Sequence, residues 1–234
     1  MVKIKPIASS SSGNCYFLSD GKTPLLLEAG ISISKIKKAL AYKLHLIQGC
    51  LISHAHLDHS RDLDGVLKAG INSYMSKGTA EALGLSGHRV KIVESKKQFQ
   101  IGSWHVMPFD VIHDAPEPLG FILQSGQEKV LFLTDSAYTK YVIPGITHLM
   151  IECNYIPEIL EENIANRSIS KSRKKRLLFS HFSLENVIDF IKASDLSRLK
   201  ETWLLHLSES NADPKIMKNE VQKITGKPVY IARR

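Results

Sequence analysis

The chain has 234 residues, of which 43% are hydrophobic, and this composition argues against wholesale disorder. Its 31 lysines and arginines exceed its 23 acidic residues, and the net charge of +8 favours a polyanionic partner over a merely soluble basic protein. No apolar run has the ~18 residues of a membrane span, no signal-peptide core opens the chain, and three scattered cysteines predict reduced thiols in a cytoplasmic protein.

Apolar runs, turn residues and helical periodicity predict alternating strands and helices along the whole chain. The predicted strands are 3–8, 15–18, 23–27, 49–52, 71–75, 91–93, 100–102, 104–109, 120–124, 130–134, 149–151, 202–205 and 229–231. The predicted helices are 34–44, 61–68, 77–83, 157–166, 184–194 and 214–225. Because no linker or repeat interrupts this order, we expect one domain over residues 1–234, with two β layers and helices outside.

A cluster of polar residues directly follows the predicted strand at residues 49–52. His54 and His56 alternate, so in extended backbone they point the same way, and Asp58 and His59 follow on a turn. Imidazole and carboxylate together are ligands for zinc, manganese or iron. The spacing predicts two neighbouring metal ions, and the alternative is a polar loop that is rich in histidine.

Three more ligand types follow predicted strands or apolar pairs later in the chain. His113 comes after Val111-Ile112, Asp135 after the strand at 130–134, and His206 after the strand at 202–205. One histidine after a strand is usually a satisfied surface or core residue. The repetition of the pattern predicts that these residues complete the metal site.

The set resembles the metallo-β-lactamase-fold hydrolases, and within them the YycJ/WalJ-like branch of exonucleases. Further segments that carry the resemblance are Ser11–Cys15, Leu133–Ser136, Glu152–Asn154, Ser180–Ser183 and His206–Asn211. The resemblance implies an α/β fold, an αββα sandwich of two mixed β-sheets flanked by helices. It places a dinuclear metal site at one edge of the two sheets.

The resemblance also implies which residues hold the two divalent ions, manganese or zinc and possibly iron. The ligands of the first ion would be His54, His56 and His113. The ligands of the second ion would be Asp58, His59 and His206, and Asp135 would bridge both. Glu28 stands where the family usually has aspartate, and we expect it to support the ligands without binding metal.

The expected chemistry is hydrolysis of a phosphodiester. Two ions about 3.5–4 Å apart would share a hydroxide that attacks phosphorus, so no nucleophilic serine is needed. The catalytic residues would be the ligands Asp58 and Asp135 together with His181, which by resemblance touches the scissile phosphate or protonates the leaving oxygen. A structural histidine is the alternative for His181.

Other polar residues are predicted to bind substrate. Ser183 is expected to cap the helix from residue 184, while Asn154 and Asn211 orient ligands or substrate. The densest run of positive charge is a candidate contact with DNA phosphates, or else a solvated face. Its members are Lys171, Arg173, Lys174, Lys175 and Arg176.

The leading hypothesis is therefore a 5′-to-3′ exonuclease that binds duplex DNA ends without reading sequence. One alternative is an RNA-processing nuclease, or a small-molecule phosphodiester or thioester hydrolase, on the same fold. Another is a non-catalytic nucleic-acid-binding module, which the filled ligand positions argue against. The sequence identifies no recombination or repair partner.

Overall fold

The computed structural model describes residues 1–166 and 170–232, without the side chains of residues 171–173. The chain divides into two compact units. The first unit comprises Met1–Asp110 and Ala115–Glu128, and the second comprises Val111–Asp114 and Lys129–Ala232. The expectation of one domain over residues 1–234 stays a prediction.

The first unit contains a six-stranded sheet in the order β1-β2-β3-β4-β5-β6, followed by an antiparallel run of three strands. Strands β1 to β3 are antiparallel neighbours, whereas β3 to β6 are parallel. The strands are β1 (Lys3–Ala8), β2 (Cys15–Ser19), β3 (Pro24–Leu27), β4 (Gly49–Leu51), β5 (Ser73–Met75), β6 (Val90–Ile92), β7 (Phe99–Ile101), β8 (Trp104–Asp110) and β9 (Leu119–Ser125). The helices are α1 (Ile33–Ala39), α2 (Leu57–Ser60), α3 (Leu63–Lys68) and α4 (Lys77–Ala82).

Helices α1 and α3 bury apolar side chains against the six-stranded sheet. Ile36 of α1 and Val66 of α3 are fully buried in one cluster with Leu26. Each such side chain stabilises the fold by about 1.5–3 kcal/mol. The Asp62 carboxylate accepts a hydrogen bond of 2.6 Å from the backbone N–H of Ile33, which ties the start of α3 to α1.

The second unit has four parallel strands with helices between them. Strand β11 is buried along its whole length, as expected for a parallel strand covered on both faces. The strands are β10 (Glu128–Leu133), β11 (His148–Glu152), β12 (Glu201–Leu205) and β13 (Val229–Ile231). The helices are α5 (Pro157–Ala165), α6 (Lys171–Ser180), α7 (Leu184–Ala193) and α8 (Pro214–Thr225).

The predicted fold class is confirmed, because two mixed sheets are flanked by helices. The second sheet has the strand order β13-β12-β11-β10-β9-β8-β7. Within the described part of the chain, no helix combines the length and the apolar character that crossing a membrane requires.

Three helix predictions were wrong in their bounds or missed a helix. The helix expected at 34–44 ends at Ala39, because Ala41 and Tyr42 adopt left-handed backbone (φ 49° and 61°). The helix expected at 61–68 is two short helices, since the carbonyl of His59 accepts from the N–H of Ala29 and cannot continue the helical ladder. Helix α6 had not been predicted from the sequence.

Candidate metal centre

In the first unit, two histidine rings that follow β4 face one another. His54 is buried, and its Nε2 lies 3.1 Å from Nδ1 of His56. Two nitrogens bound to one tetrahedral zinc at about 2.0–2.1 Å would lie about 3.3 Å apart. The Ser53 hydroxyl lies 2.8 Å from the other ring nitrogen of His54 and fixes its orientation. The pair therefore has the spacing of two ligands to one ion.

The two remaining ligands of the predicted motif lie on α2. The Nε2 of His59, which is fully buried, lies 3.3 Å from Oδ2 of Asp58. The Asn14 amide nitrogen lies 3.2 Å from the same ring nitrogen and 3.4 Å from the same carboxylate oxygen. Asn14 had not been assigned a role from the sequence, although it belongs to a segment that carries the family resemblance.

Glu28 lies behind this motif and is completely buried. Its Oε1 accepts a hydrogen bond of 3.2 Å from the Ser53 N–H, and its Oε2 lies 3.6 Å from Nδ1 of His59. Burial raises the pKa of the Glu28 carboxyl, although His59 and Ser53 oppose the shift. This is the geometry that the expected supporting role requires.

Backbone hydrogen bonds fix the motif against two loops. The Asn14 N–H donates to the Asp58 carbonyl over 2.7 Å, and the Gly30 N–H donates to the Asn14 carbonyl over 2.9 Å. A Cβ atom on Gly30 would lie 1.7 Å from the Asp58 carbonyl oxygen, so only glycine permits this approach. The loops therefore determine the position of Asp58.

In the second unit, four side chains offer ligand atoms that all lie within 4.8 Å of one another, namely Asp135, Glu152, His181 and His206. The Nδ1 of His206 lies 3.1 Å from Oδ1 of Asp135 and 3.0 Å from Oε1 of Glu152. Asp135 and His206 follow β10 and β12 and adopt left-handed backbone (φ 39° and 51°). Such strain costs about 1–3 kcal/mol per residue and is typical of functional sites.

Glu152 is the residue of this cluster that sequence reasoning missed. The carboxylate accepts hydrogen bonds of 3.1 Å from the backbone N–H groups of Ser136 and Phe182, and it lies 2.6 Å from Nδ1 of His181. Burial raises the pKa of Glu152, but the His181 charge and these donors outweigh burial and lower the pKa. Its position at the end of β11 was the signal that could have identified it.

His113 lies in the second unit with one ring nitrogen already engaged. Its Nδ1 donates to the Ser180 carbonyl over 2.9 Å, which leaves Nε2 as an electron-pair donor. Burial lowers the pKa of His113 and favours the neutral ring that metal binding needs. His181 differs: burial lowers its pKa, but Glu152 and Asp135 outweigh burial and raise it.

The predicted polar substrate contacts are engaged within the protein. The Asn154 amide donates to the His206 carbonyl over 2.9 Å, and the buried Asn211 accepts from the Asn163 amide over 2.9 Å. The Ser183 hydroxyl accepts from the N–H of Asn186 and caps α7, as expected. Asn154 thus lies beside a ligand, whereas Asn211 and Ser183 order neighbouring segments.

The predicted basic run forms α6, and acidic residues pair with part of it. Lys174 forms an ion pair with Glu161, and Nε of Arg176 lies 3.0 Å from the Asp114 carboxylate. Lys175 is exposed and makes no ion pair within the described residues. The side chains of two other predicted contacts, Lys171 and Arg173, lie outside the described part of the structure.

The donor sets of both units fit divalent metal ions, because buried imidazole and carboxylate groups converge at ligand distances in each. Solved structures share the fold. Residues along 99% of this chain align with 96% of YhfI from Bacillus subtilis at a TM-score of 0.76 and 16% identity. PqqB from Methylobacterium extorquens aligns over 100% and 98% at a TM-score of 0.74 and 14% identity. The family model described as the β-lactamase superfamily domain matches residues 24–199. The chain therefore belongs to the metallo-β-lactamase-fold hydrolases.

Relatives at higher identity define the branch. The chain is 31% identical to exodeoxyribonuclease WalJ of Streptococcus pneumoniae serotype 2 (strain D39 / NCTC 7466), over 89% of this chain and 82% of that protein. It is 27% identical to exodeoxyribonuclease YycJ of Bacillus anthracis, over 93% of this chain and 87% of that protein. The predicted YycJ/WalJ-like branch is thus confirmed.

Proposed function

We propose that the chain is a metal-dependent exonuclease that degrades double-stranded DNA from its ends in the 5′-to-3′ direction. The buried imidazole–carboxylate clusters of the two units carry this proposal. Relatives named exodeoxyribonuclease, matched over most of the chain, support a DNA substrate. The polarity and the duplex preference rest on the family resemblance.

Seven side chains would hold two divalent ions, with manganese, zinc or iron as the candidates. The proposed ligands are His54, His56, Asp58, His59, His113, Asp135 and His206. When bound, the ions would activate a water molecule and neutralise charge on the phosphoryl oxygens. The protein's own task is to present neutral imidazoles and ionised carboxylates at fixed positions, which the bonds from Ser53, Asn14 and the Ser180 carbonyl support.

His181 would act on the leaving group. Glu152 holds Nδ1 of His181 and favours the protonated ring, so Nε2 can donate a proton to the oxygen that leaves phosphorus. Glu152 is a positioning residue in this scheme, because it acts through His181 and His206.

The net charge of +8 supports a nucleic-acid substrate that is bound through phosphates. The candidate DNA contacts are Lys171, Arg173, Lys174, Lys175 and Arg176, to which Ser183, Asn154 and Asn211 would add polar contacts or order. The cysteines of the chain are free and buried, and burial raises the pKa of Cys15, Cys50 and Cys153. Reduced thiols of this kind support the proposed cytoplasmic location.

One assay tests the proposal against its alternatives. The purified protein is incubated with 5′-phosphorylated linear duplex DNA, closed circular DNA, structured RNA and bis(p-nitrophenyl) phosphate, with manganese, zinc or a chelator. We expect metal-dependent release of nucleotides from the 5′ ends of linear duplex alone. Faster cleavage of RNA would favour the RNA-processing function, and turnover of the small diester alone would favour a small-molecule hydrolase.

A further inference from the structure

A groove of about 790 Å³ lies in the first unit, and four basic side chains line it. We call it the serine-loop groove, after Ser10 and Ser12 of the loop between β1 and β2. Its basic residues are Lys5, Lys35, Lys38 and Arg61. No acidic side chain lines the groove within the described part of the chain. The groove is therefore a concentrated positive field that favours an anion.

The charges of the groove are available to a ligand. Lys35 and Lys38 are exposed and lie three residues apart on α1, so they share one face of the helix. Arg61 is exposed as well, and none of these three makes an ion pair with a described residue. Lys5 donates to the Ala39 carbonyl over 2.6 Å, which holds its ammonium group at the groove without neutralising it.

The serine loop adds ordered polar groups to the groove. The Ser10 and Ser12 hydroxyls lie 2.7 Å apart, and the Ser12 N–H donates to the Ser10 hydroxyl over 3.2 Å. The Ser10 N–H donates to the Asn14 side chain over 3.2 Å. Because these bonds fix the loop, its hydroxyls are positioned in advance to contact phosphate oxygens.

The groove begins at the metal motif. Asn14, which ends the serine loop, contacts Asp58 and His59 through its amide and binds the Asp58 carbonyl through its backbone. Arg61 follows His59 by two residues. A strand whose scissile phosphate lies at this motif would thus meet the groove with the phosphates that come next.

We propose that the serine-loop groove binds the sugar–phosphate backbone of the DNA strand beside the scissile bond. This assignment rests on the proposed nuclease function and specifies where that function binds its substrate. The volume exceeds that of one phosphate, and four cations suit several phosphates in series. No aromatic side chain lines the groove among the described residues, so bases are not stacked there and binding is independent of sequence.

The test compares two triple variants that lose the same charge. The groove variant is Lys35→Ala/Lys38→Ala/Arg61→Ala, and the control is Lys37→Ala/Lys91→Ala/Lys218→Ala, at exposed lysines outside the groove. The Kd for a 3′-fluorescein 20-base-pair duplex is measured by anisotropy in a chelator between 50 and 200 mM salt. We expect the groove variant to bind at least about 10-fold more weakly and to lose about 2–3 from its salt slope.

Two further measurements separate the groove from the nuclease function and from folding. Turnover of bis(p-nitrophenyl) phosphate, which is too small to reach the groove, should be equal in wild type and groove variant. The double variant Lys35→Arg/Lys38→Arg keeps both charges and should retain wild-type affinity. If wild type degrades DNA but both triple variants have the same Kd and slope, the groove assignment is wrong; if wild type does not degrade DNA, the nuclease function itself is wrong.

Discussion

The Nδ1 atom of His181 lies 2.6 Å from a carboxylate oxygen of Glu152, and that oxygen also lies 3.0 Å from Nδ1 of His206. One buried carboxylate therefore orients a proposed metal ligand and the proposed proton donor together. The backbone N–H groups of Ser136 and Phe182 hold its other oxygen. Glu152 thus couples the ends of β10 and β12 to the segment that precedes α7.

We expect Glu152→Gln to reduce both metal affinity and turnover by about 10–100-fold, because the amide cannot accept from both imidazoles. Metal content per chain and kcat with metal in excess separate the two effects. The matched control is Glu158→Gln, at an exposed glutamate on α5, which should behave as wild type. Wild-type kcat in Glu152→Gln would remove the positioning role.

Replacing the proton donor should separate chemistry from metal binding. His181→Ala is expected to lower kcat by about 10²–10⁴ while the protein retains both ions, since His181 acts on the leaving oxygen. Metal content and kcat are measured on the same preparation. Loss of an ion would instead make His181 a ligand, a possibility that its place in the four-residue cluster makes worth checking.

The bridging ligand is tested by Asp135→Asn. Asparagine has the same size and tolerates left-handed backbone, so the thermal midpoint should stay near that of the metal-free wild type. Turnover should be abolished and the metal content should fall, because a neutral amide cannot bridge two cations. Unchanged activity would contradict the bridging role; Asp135→Ala, which removes the side chain, should give the same loss.

The basic helix α6 allows a test of charge against position. Neutralising Lys174, Lys175 and Arg176 together should weaken DNA binding and reduce its salt slope, whereas Lys175→Ala alone should reduce the slope by about 0.9. Arg176→Ala should also weaken metal binding, since Arg176 holds Asp114 beside His113. Anisotropy titrations and metal content measure both effects. A salt slope equal to wild type in the triple variant would remove α6 from the DNA interface.

The sequence predicted the ligand positions because buried parallel strands are continuous apolar runs and their ends present polar side chains. The same rule should have identified Glu152, which follows β11. It was missed because the family pattern directed attention to His181 and Asn154 as partners of substrate. The hydrogen bonds that make Glu152 important come from residues distant in the chain, and no local pattern reports them.

Helix α6 was missed for a different physical reason. Its basic residues have good helix propensity, but the segment lacks the apolar period from which a helix is usually identified. Among its described side chains, Leu177 packs on the small cluster of Tyr155 and Leu160, while Leu178 and Phe179 are exposed. Ion pairs with Glu161 and Asp114 supply the remaining attachment, and these depend on the tertiary fold.

The last prediction concerns stability in the first unit. The Asp20 carboxylate accepts hydrogen bonds from the N–H groups of Lys22 and Thr23 and from the hydroxyls of Ser103 and Ser125. Partial burial raises the pKa of Asp20, but these bonds outweigh burial and hold the pKa well below its usual range. The stabilisation is therefore fully present above the unfolded pKa of about 4 and is lost as the pH falls through the folded pKa.

We expect Asp20→Asn to lower the free energy of unfolding at pH 7 by about 1–2 kcal/mol, because one strong acceptor oxygen is replaced by an NH₂ group while solvent screens part of the effect. The difference from wild type should shrink as the pH is lowered from 5 toward 2, since the wild-type carboxylate becomes protonated. Urea unfolding at pH 7, 5 and 3 measures this difference. Asp189→Asn, at an exposed carboxylate on α7, should show little change at any pH, and an Asp20→Asn deficit that persisted undiminished at pH 3 would contradict the assigned cause.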